Sequence, residues 1–136
     1  YAELLRALDG IDFRDCCHVT FDDGRARPLP EGHRLRRLVH PRRSVWRTLL
    51  NAFQALVVVL WERPRLVVST GADVAVAPVI LARLVGAKTV LIETGGTLEP
   101  SLAGRLVYPF ADLFIVPWPE KLQAFPKAVL ARGLLL

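Results

Sequence analysis

The amino-acid sequence predicts an α/β fold in which helices cover both faces of a parallel sheet, as in Rossmann-like domains. Three short apolar runs, rich in β-branched residues, are expected to form strands: RLVVST (65–70), KTVLIE (88–93) and LFIV (113–116). Stretches with helical spacing separate these runs. Because strands that alternate with helices pair in parallel and are buried on both faces, they are expected to be apolar throughout.

The length sets the number of domains. A chain of 136 residues has the size of one domain and can bury a core without disulfides or metal. We therefore predict a single domain over residues 1–136. The sequence opens with YAELLRALDG, which has the pattern of a helix interior, and it contains no Met, so we expect an N-terminal piece to be missing.

The first third of the chain is predicted to contain a short helix and two extended segments separated by a polar loop. Residues 2–8 have leucines at helical spacing, and Asp9 with Gly10 predicts the end of that helix. FRDCCHVTF (13–21) predicts a strand, DDGRARPLPEGH (22–33) a polar loop, and RLRRLVHP (34–41) a short extended segment.

A long helix is expected next, with Ser44 as N-cap, residues 45–62 as its body and Pro64 beyond its end. Most of the helix surface is apolar, and one narrow polar stripe contains Arg47, Asn51, Gln54 and Glu62. Such a helix is either buried or lies in a membrane interface. Its interior polar residues and short apolar run argue against a membrane-spanning segment.

The remaining elements alternate regularly. We predict a helix over residues 74–85 with Asp73 as N-cap and Gly86 just beyond its end. A strand, a Gly-rich loop and a short helix near residues 102–106 follow. The strand LFIV, a helical turn after Pro119 and a final apolar segment, AVLARGLLL, complete the predicted order.

The composition indicates a covered surface and anionic partners. The hydrophobic fraction is 52% and the mean hydropathy is +0.33, which suggests surface that contacts a partner or a bilayer. The net charge is +5, and arginines are concentrated in residues 25–47, a stripe that favours phosphate or an anionic membrane. No recognition helix, aromatic RNA-binding signature or zinc spacing is present, so no nucleic-acid partner is predicted.

The two cysteines are adjacent. Neighbours on a strand point to opposite faces, so Cys16 and Cys17 are poorly placed to chelate one metal together. We interpret them as reduced thiols in the cytosol and His18 as a structural residue, and we predict no metal and no cofactor. There is no Ser-His-Asp order and no convincing carboxylate pair, which argues against a self-sufficient hydrolase and leaves the catalytic residues unknown.

The turn VVSTGADVA (67–75) is the first candidate site. Gly71 permits close backbone approach, Ser69 and Thr70 offer hydroxyls, and the next helix directs N–H groups outward, so an anion could bind there. The alternative is an ordinary strand-to-helix connection with Asp73 as its cap, and the spacing alone favours this alternative.

The second candidate is IETGGTLEP (92–100), where Glu93 ends a buried strand and Gly95 and Gly96 follow. The carboxylate could accept hydrogen bonds from sugar hydroxyls, or it could hold the loop by accepting backbone N–H bonds. Both interpretations remain open.

A third candidate surface is the basic segment before the long helix. Arginines beside an apolar helix, with tryptophans near its two ends, are typical of a helix at a membrane surface. The alternative is a solvated loop leading into a core helix. The residues expected to face the membrane are Arg42, Arg43, Trp46, Arg47 and Trp61.

Residues 64–133 resemble a known family. The shared features are STGA (69–72), AKTVLIE (87–93), SLAGRLVYPFADLFIVPWPE (101–120) and PKAV (126–129). These segments are similar to the bacterial PssD-type exopolysaccharide proteins, which are themselves similar to the membrane-anchored subunit of the two-subunit dolichol-linked N-acetylglucosaminyltransferase.

The resemblance implies the N-terminal, acceptor-side half of a split GT-B glycosyltransferase. A separate UDP-sugar-binding catalytic subunit would be its partner, and a lipid-diphosphate-linked sugar its acceptor. By similarity to single-chain enzymes such as MurG, residues 69–73 would lie near the lipid diphosphate, with Glu93 and Gly95 at the cleft. The expected location is the cytoplasmic face of the membrane, peripheral or anchored through the missing N-terminal piece.

The resemblance also indicates departures and an alternative. The family's first Gly-rich loop, a Gly-Gly-His turn that follows the first strand, would lie before Tyr1, and Thr94 with Gly95 and Gly96 replaces the Ser and Arg frequent in the family. Leu134, Leu135 and Leu136 are a candidate docking tail for the catalytic subunit. The alternative function is a noncatalytic membrane scaffold for that subunit.

Overall fold

The computed structural model describes residues 2–21, 29–42 and 44–131. Helix α1 (Ala2–Ala7) is followed by strands β1 (Cys17–Phe21) and β2 (Arg34–Leu38) and by the long helix α2 (Val45–Glu62). The second part contains, in chain order, β3 (Leu66–Ser69), α3 (Val76–Leu84), β4 (Lys88–Ile92), α4 (Leu102–Val107), β5 (Leu113–Val116) and β6 (Val129–Leu130).

All described strands pair in parallel, which confirms the predicted fold class. β1 and β2 form a two-stranded sheet, and β3 to β6 form a four-stranded sheet in sequential order. In the larger sheet Ser69 lies opposite Leu91, and Ile92 lies opposite Ile115. Sequential parallel strands place their carboxyl ends along one edge, and that edge carries the loops at residues 69–73 and 93–97.

The main core lies between the four-stranded sheet and α3, α4 and the turns that follow α4 and β5. Its buried members are apolar: Val79, Leu91, Val107, Phe114, Val116 and Phe125. The rings of Phe114 and Phe125 are 4.6 Å apart between centroids, and both contact Tyr108. This aromatic cluster joins β5 and the turn after α4 to the segment that precedes β6.

A second core connects the two sheets. Leu38 of β2, Ala55 of α2 and Val74 after β3 are buried together. Ala55 and Ala82 are fully buried, and their small side chains let α2 and α3 pack closely. The two sheets therefore share α2 and α3 as their common layer.

The polar stripe of α2 faces the protein. Asn51 Nδ2 donates to the carbonyl oxygen of Val39, and the backbone N–H of Val39 donates to Gln54 Oε1, at 2.9 and 2.8 Å. Glu62 forms ion pairs with Arg34 and Arg36, both at 2.9 Å. These side chains bind β2 and the residue after it, so the apolar side of α2 points away from the sheet.

Two predicted elements, α3 and β1, begin later in the structure than the sequence suggests. Asp73 is not an N-cap: it begins a 3-10 turn (Asp73–Ala75), and α3 starts at Val76. Pro78 explains the later start, because it has no N–H to donate and fits only the first turn of a helix. Likewise β1 begins at Cys17 and not at residue 13, because its partner β2 begins only at Arg34.

No helix within the described ranges is both long and apolar enough to cross a bilayer. Ser44 occupies the predicted N-cap position of α2, but its side chain makes no cap hydrogen bond. Gly86, at φ +95°, follows α3 as predicted.

Candidate functional site

The turn after β3 lies beside the end of β4. Gly71 has φ +76°, in the left-handed region that favours glycine. A Cβ at this position would lie 3.8 Å from the carbonyl oxygen of Ile92, an ordinary contact distance. Glycine is therefore required by the backbone conformation and not by lack of space, and the turn has an open side.

The hydroxyl of Ser69 belongs to the turn itself. Ser69 is buried, and its Oγ accepts the backbone N–H of Gly71 at 3.2 Å. Thr70 is half-buried, whereas Asp73 is exposed and makes no side-chain cap. Ser69 thus shapes the turn, while Thr70, Gly71 and Asp73 border the accessible side of the sheet edge.

Glu93 is buried at the end of β4 and paired with Lys121. Its side chain and that of Lys121 are both 0% exposed, with Lys121 Nζ 3.4 Å from Glu93 Oε1. Glu93 Oε1 also accepts the Thr94 N–H at 3.2 Å, and Lys121 Nζ donates to the Thr94 carbonyl oxygen at 2.8 Å. The carboxylate and the ammonium group together hold the start of the 93–97 loop.

The second oxygen of Glu93 faces α4. Glu93 Oε2 is buried and has no hydrogen-bond partner in the described part of the chain. It lies against Gly104, where a Cβ would overlap it. Because an unpaired buried carboxylate oxygen is costly, the pair with Lys121 is essential to this arrangement.

The same loop is held from the β5 side. The indole Nε1–H of Trp118 donates to the carbonyl oxygen of Gly95 at 3.0 Å, and the Gly96 N–H donates to Thr94 Oγ1 at 3.3 Å. The structure therefore contains the contacts that the loop-bracing interpretation of Glu93 requires. Gly95 is half-buried beside this bracing.

Sequence reasoning did not identify Lys121 or Trp118. Lys121 lies 28 residues from Glu93 in a 3-10 turn (Pro119–Gln123), where a lysine is ordinarily solvated. The fully buried position of its ammonium group depends on long-range packing. Only the proline-flanked tryptophan in VPWPE indicates a fixed turn after β5.

An apolar groove of about 480 Å³ lies between α2 and α3, and Asp73 is one of its lining residues. The other lining residues are mostly apolar and include Pro41, Phe53, Leu56, Val76 and Ile80. The groove therefore reaches from the turn after β3 to the outer side of α2. It was not predicted, because it depends on how two helices pack.

A basic pocket of about 380 Å³ lies at the end of β2, lined by Arg37, Arg42 and Arg47 together with His40 and Gln54. Arg42 adopts φ +46° and donates its backbone N–H to His40 Nδ1 at 3.1 Å. Arg34 and Arg36 are engaged by Glu62, so they do not contribute to this pocket. Arg43 lies outside the described residues.

The outer side of α2 is apolar and exposed. Trp46 is 81% exposed and Trp61 77% exposed, near the two ends of the helix. Between them the exposed residues are Leu49, Leu50, Phe53, Leu56, Val57 and Leu60. This side of α2 is exposed, so α2 is not a helix buried on all sides, as the core-helix alternative would require.

Residues 134–136, the predicted docking tail, lie outside the described part of the chain.

Comparison with known proteins identifies relatives of this chain. A family model described as "Oligosaccharide biosynthesis protein Alg14 like" matches residues 32–135. The UDP-N-acetylglucosamine transferase subunit ALG14 of Eremothecium gossypii is 33% identical over 96 residues, which cover 63% of this chain and 43% of that protein. No solved structure matches the chain.

A bacterial enzyme is also similar. It is the UDP-N-acetylglucosamine–N-acetylmuramyl-(pentapeptide) pyrophosphoryl-undecaprenol N-acetylglucosamine transferase of Streptococcus equi subsp. zooepidemicus. Identity is 38% over 83 residues, which cover 56% of this chain and 22% of that enzyme. The chain therefore spans less than half the length of either relative.

Proposed function

The chain belongs to the family of Alg14-like oligosaccharide biosynthesis proteins, and from this we propose that it is one subunit of a two-component glycosyltransferase. Its role is to bind a lipid-diphosphate-linked sugar acceptor at the cytoplasmic face of the membrane. A second subunit binds the UDP-sugar and completes the active site. The process is polysaccharide or lipid-linked oligosaccharide synthesis, of the PssD exopolysaccharide type.

One observation carries the proposal: the carboxyl edge of the sheet and the exposed apolar side of α2 meet at a single groove. Asp73 borders both the turn after β3 and the groove between α2 and α3. An acceptor of this class has a diphosphate that requires N–H donors and a lipid chain that requires apolar surface. The turn after β3 and the apolar groove are adjacent here and meet at Asp73.

The acceptor-site residues take different parts in this proposal. The Thr70 hydroxyl is a donor for the diphosphate, Gly71 leaves the backbone of the turn open to it, and the Asp73 carboxylate accepts hydrogen bonds from sugar hydroxyls. Ser69, which holds the Gly71 N–H, and Glu93, which holds the loop of Gly95, set the shape of the two loops.

The membrane-facing surface consists of Arg42, Arg43, Trp46, Arg47 and Trp61. Exposed tryptophans at both ends of an apolar helix face suit the headgroup region, and arginines attract anionic lipid. Residues 134–136 are proposed as the contact for the catalytic subunit. If their deletion leaves co-purification of that subunit unchanged, the docking role is wrong.

We also propose that residues 1–136 form a single Rossmann-like acceptor-side domain that lacks its first strand and Gly-rich loop, and that this strand would lie in space between β1 and β3. In the described ranges β1 pairs only with β2, and β3 pairs only with β4. One edge of β1 and one edge of β3 therefore pair with no described strand. The core of Leu38, Ala55 and Val74 supports a single unit. A single unfolding transition of the full-length protein is expected.

The test is sugar transfer by the full-length protein with its catalytic subunit, using labelled UDP-N-acetylglucosamine and a polyprenyl-diphosphate-linked sugar. Transfer is expected only when both subunits are present. Transfer by this protein alone would reject the two-component proposal.

Acceptor binding is separated from a scaffold role by Gly71→Leu. Gly86→Leu is the matched control, since Gly86 also has positive φ, at +95°, but lies after α3 in open space. Each variant is strained by about 1–2 kcal/mol. The acceptor-site proposal expects transfer to fall in Gly71→Leu alone, with the complex intact. Equal transfer by the two variants would instead favour the noncatalytic scaffold.

A further inference from the structure

One thiol and two imidazoles meet at the start of the two-stranded sheet. Cys16 and His18 are two residues apart along an extended segment and therefore share one side of it. His33 comes immediately before β2, and the Arg34 N–H donates to the Cys16 carbonyl oxygen at 2.9 Å. The pairing of β1 with β2 thus brings His33 beside Cys16 and His18.

The three potential ligand atoms are close enough for one ion. His18 Nε2 is 3.6 Å from Cys16 Sγ and 3.0 Å from His33 Nδ1, and all three atoms lie within 4.8 Å of one another. In a tetrahedral zinc site, with bonds of about 2.3 Å to sulfur and 2.0 Å to nitrogen, neighbouring ligands are about 3.3–3.6 Å apart. Small side-chain movements would therefore complete the geometry.

The orientation of His33 is already suitable. Its Nε2 is 3.0 Å from the carbonyl oxygen of Phe13, which can only accept, so the ring proton is on Nε2. The Nδ1 atom consequently directs its lone pair at His18. A backbone carbonyl that fixes the tautomer of a histidine ligand is a common outer-shell feature of metal sites.

We propose that Cys16 Sγ, His18 Nε2 and His33 Nδ1 form a binding site for a divalent transition metal, with zinc the best match to one sulfur and two nitrogen ligands. On binding, the Cys16 thiol releases its proton to solvent and the sulfur bonds the metal. In the metal-free protein His18 Nε2 carries the proton that it donates to His33 Nδ1. On binding, this proton moves to His18 Nδ1 by exchange with solvent, and His33 keeps its proton on Nε2. A water molecule takes the fourth position.

The metal would join two strands that are separated by twelve residues in the sequence. β1 and β2 are only five residues each, and the ligands come from Cys16 and His18 at the start of β1 and from His33 just before β2. Binding to the folded state alone raises stability, so the thermal midpoint should increase with zinc concentration. This inference is independent of the proposed acceptor site.

The test is titration of the untagged, metal-free full-length protein with Co²⁺, followed by displacement with Zn²⁺. Binding of one ion per chain and a thiolate-to-cobalt charge-transfer band are expected. Cys16→Ser should abolish the band and weaken zinc binding by roughly 100-fold or more, since even outer-shell changes cost 10–100-fold. His33→Gln should weaken zinc binding similarly, and circular dichroism checks the fold of both variants.

Cys17→Ser is the matched control, because Cys17 is the adjacent thiol on the other side of the strand. It should retain the band and the wild-type affinity. Failure of the wild-type protein to bind one ion, or an equal loss in Cys17→Ser and Cys16→Ser, would show that the three groups are only hydrogen-bonded to one another.

Discussion

Glu93 and Lys121 form an ion pair that is completely withdrawn from solvent. Their side chains are both 0% exposed, and the pair connects the end of β4 to the turn after β5. Exposed ion pairs contribute little to stability, whereas removal of one partner from a buried pair leaves an uncompensated charge. This pair should therefore be among the most sensitive positions of the described chain.

Lys121→Met tests the pair directly. The variant should lower the free energy of unfolding by about 3–5 kcal/mol, because the Glu93 carboxylate stays buried without its cation. Chemical denaturation provides the measurement. The double variant Glu93→Gln with Lys121→Met should recover much of the loss, whereas Lys127→Met, at an exposed lysine, should change stability by less than about 0.5 kcal/mol. A Lys121→Met effect as small as that of Lys127→Met would contradict the argument.

Gly104→Ala tests the packing of α4 on the same carboxylate. Helix propensity alone favours Ala over Gly by about 0.5–1 kcal/mol. The new Cβ would overlap Oε2 of Glu93, so we expect a net loss of about 1–3 kcal/mol in the free energy of unfolding. Gly96→Ala is the control, since its Cβ would lie at an ordinary 3.6 Å from Thr94 Oγ1. A stabilised Gly104→Ala protein would show that the carboxylate moves freely.

The starts of β4 and β5 are joined by Asp112, the residue immediately before β5. Its Oδ2 accepts the Thr89 N–H at 2.9 Å, and its own backbone N–H donates to Thr89 Oγ1 at 3.1 Å. Arg83 and Lys88 lie 3.5 and 3.7 Å from Oδ1. The Thr89 hydrogen bond, followed by the two cations, lowers the pKa of Asp112 below its ordinary value of 3.8.

A lowered pKa predicts acid sensitivity with a defined sign. The folded protein keeps Asp112 ionised at pH values where the unfolded chain already binds a proton, so stability is present above the unfolded pKa of 3.8 and is lost as pH falls through the folded pKa. Asp112→Asn should therefore flatten the decline of stability below about pH 5. Urea denaturation from neutral to acidic pH measures this slope.

The control for this experiment is Lys88→Gln. The Thr89 hydrogen bond is the largest cause of the shift and the Lys88 charge is a smaller one. Lys88→Gln should therefore change the slope less than Asp112→Asn. Parallel curves for Asp112→Asn and the wild-type protein would mean that Asp112 does not contribute to the acid response.

Element boundaries were predictable where local chemistry defines them. The long helix was predicted over residues 45–62, as observed, because an N-cap serine and a proline bracket it. The start of α3 is later than the sequence predicts, because Asp73 begins a 3-10 turn and Pro78 restricts the first turn of the α-helix. The inward direction of the polar stripe of α2 depends on the position of β2, which no spacing within the helix specifies.

The candidate site was predictable only in part. Both loops at the sheet edge follow apolar strands, so the pattern of strands and glycines placed Gly71 and Glu93 correctly at carboxyl ends. The Glu93 to Lys121 contact joins residues 28 apart, and the His18 to His33 contact joins residues 15 apart. Contacts of this kind depend on tertiary packing, and periodicity within a segment contains no information about them.

The apolar composition and the arginine-rich segment converge on one surface. The high hydrophobic fraction is explained partly by the outer side of α2, whose exposed residues run between two tryptophans. The pocket of Arg37, Arg42 and Arg47 lies at the N-terminal end of the same helix. A surface that combines both features should bind an anionic membrane more strongly than a neutral one.

Vesicle co-sedimentation of the full-length protein tests this surface. Phosphatidylcholine vesicles that contain phosphatidylglycerol should bind the protein, and binding should weaken with added salt, because part of the attraction is electrostatic. The double variant Trp46→Ser with Trp61→Ser should lose at least about tenfold in affinity, since burial of one large apolar side chain contributes about 1.5–3 kcal/mol. Both tryptophans are more than three-quarters exposed, at 81% and 77%, so the fold should be unaffected.

Leu106→Ser on α4, at a residue 50% exposed, is the control and should bind like the wild-type protein. Equal losses in the two variants, or equal binding to neutral and anionic vesicles, would mean that α2 does not face the membrane.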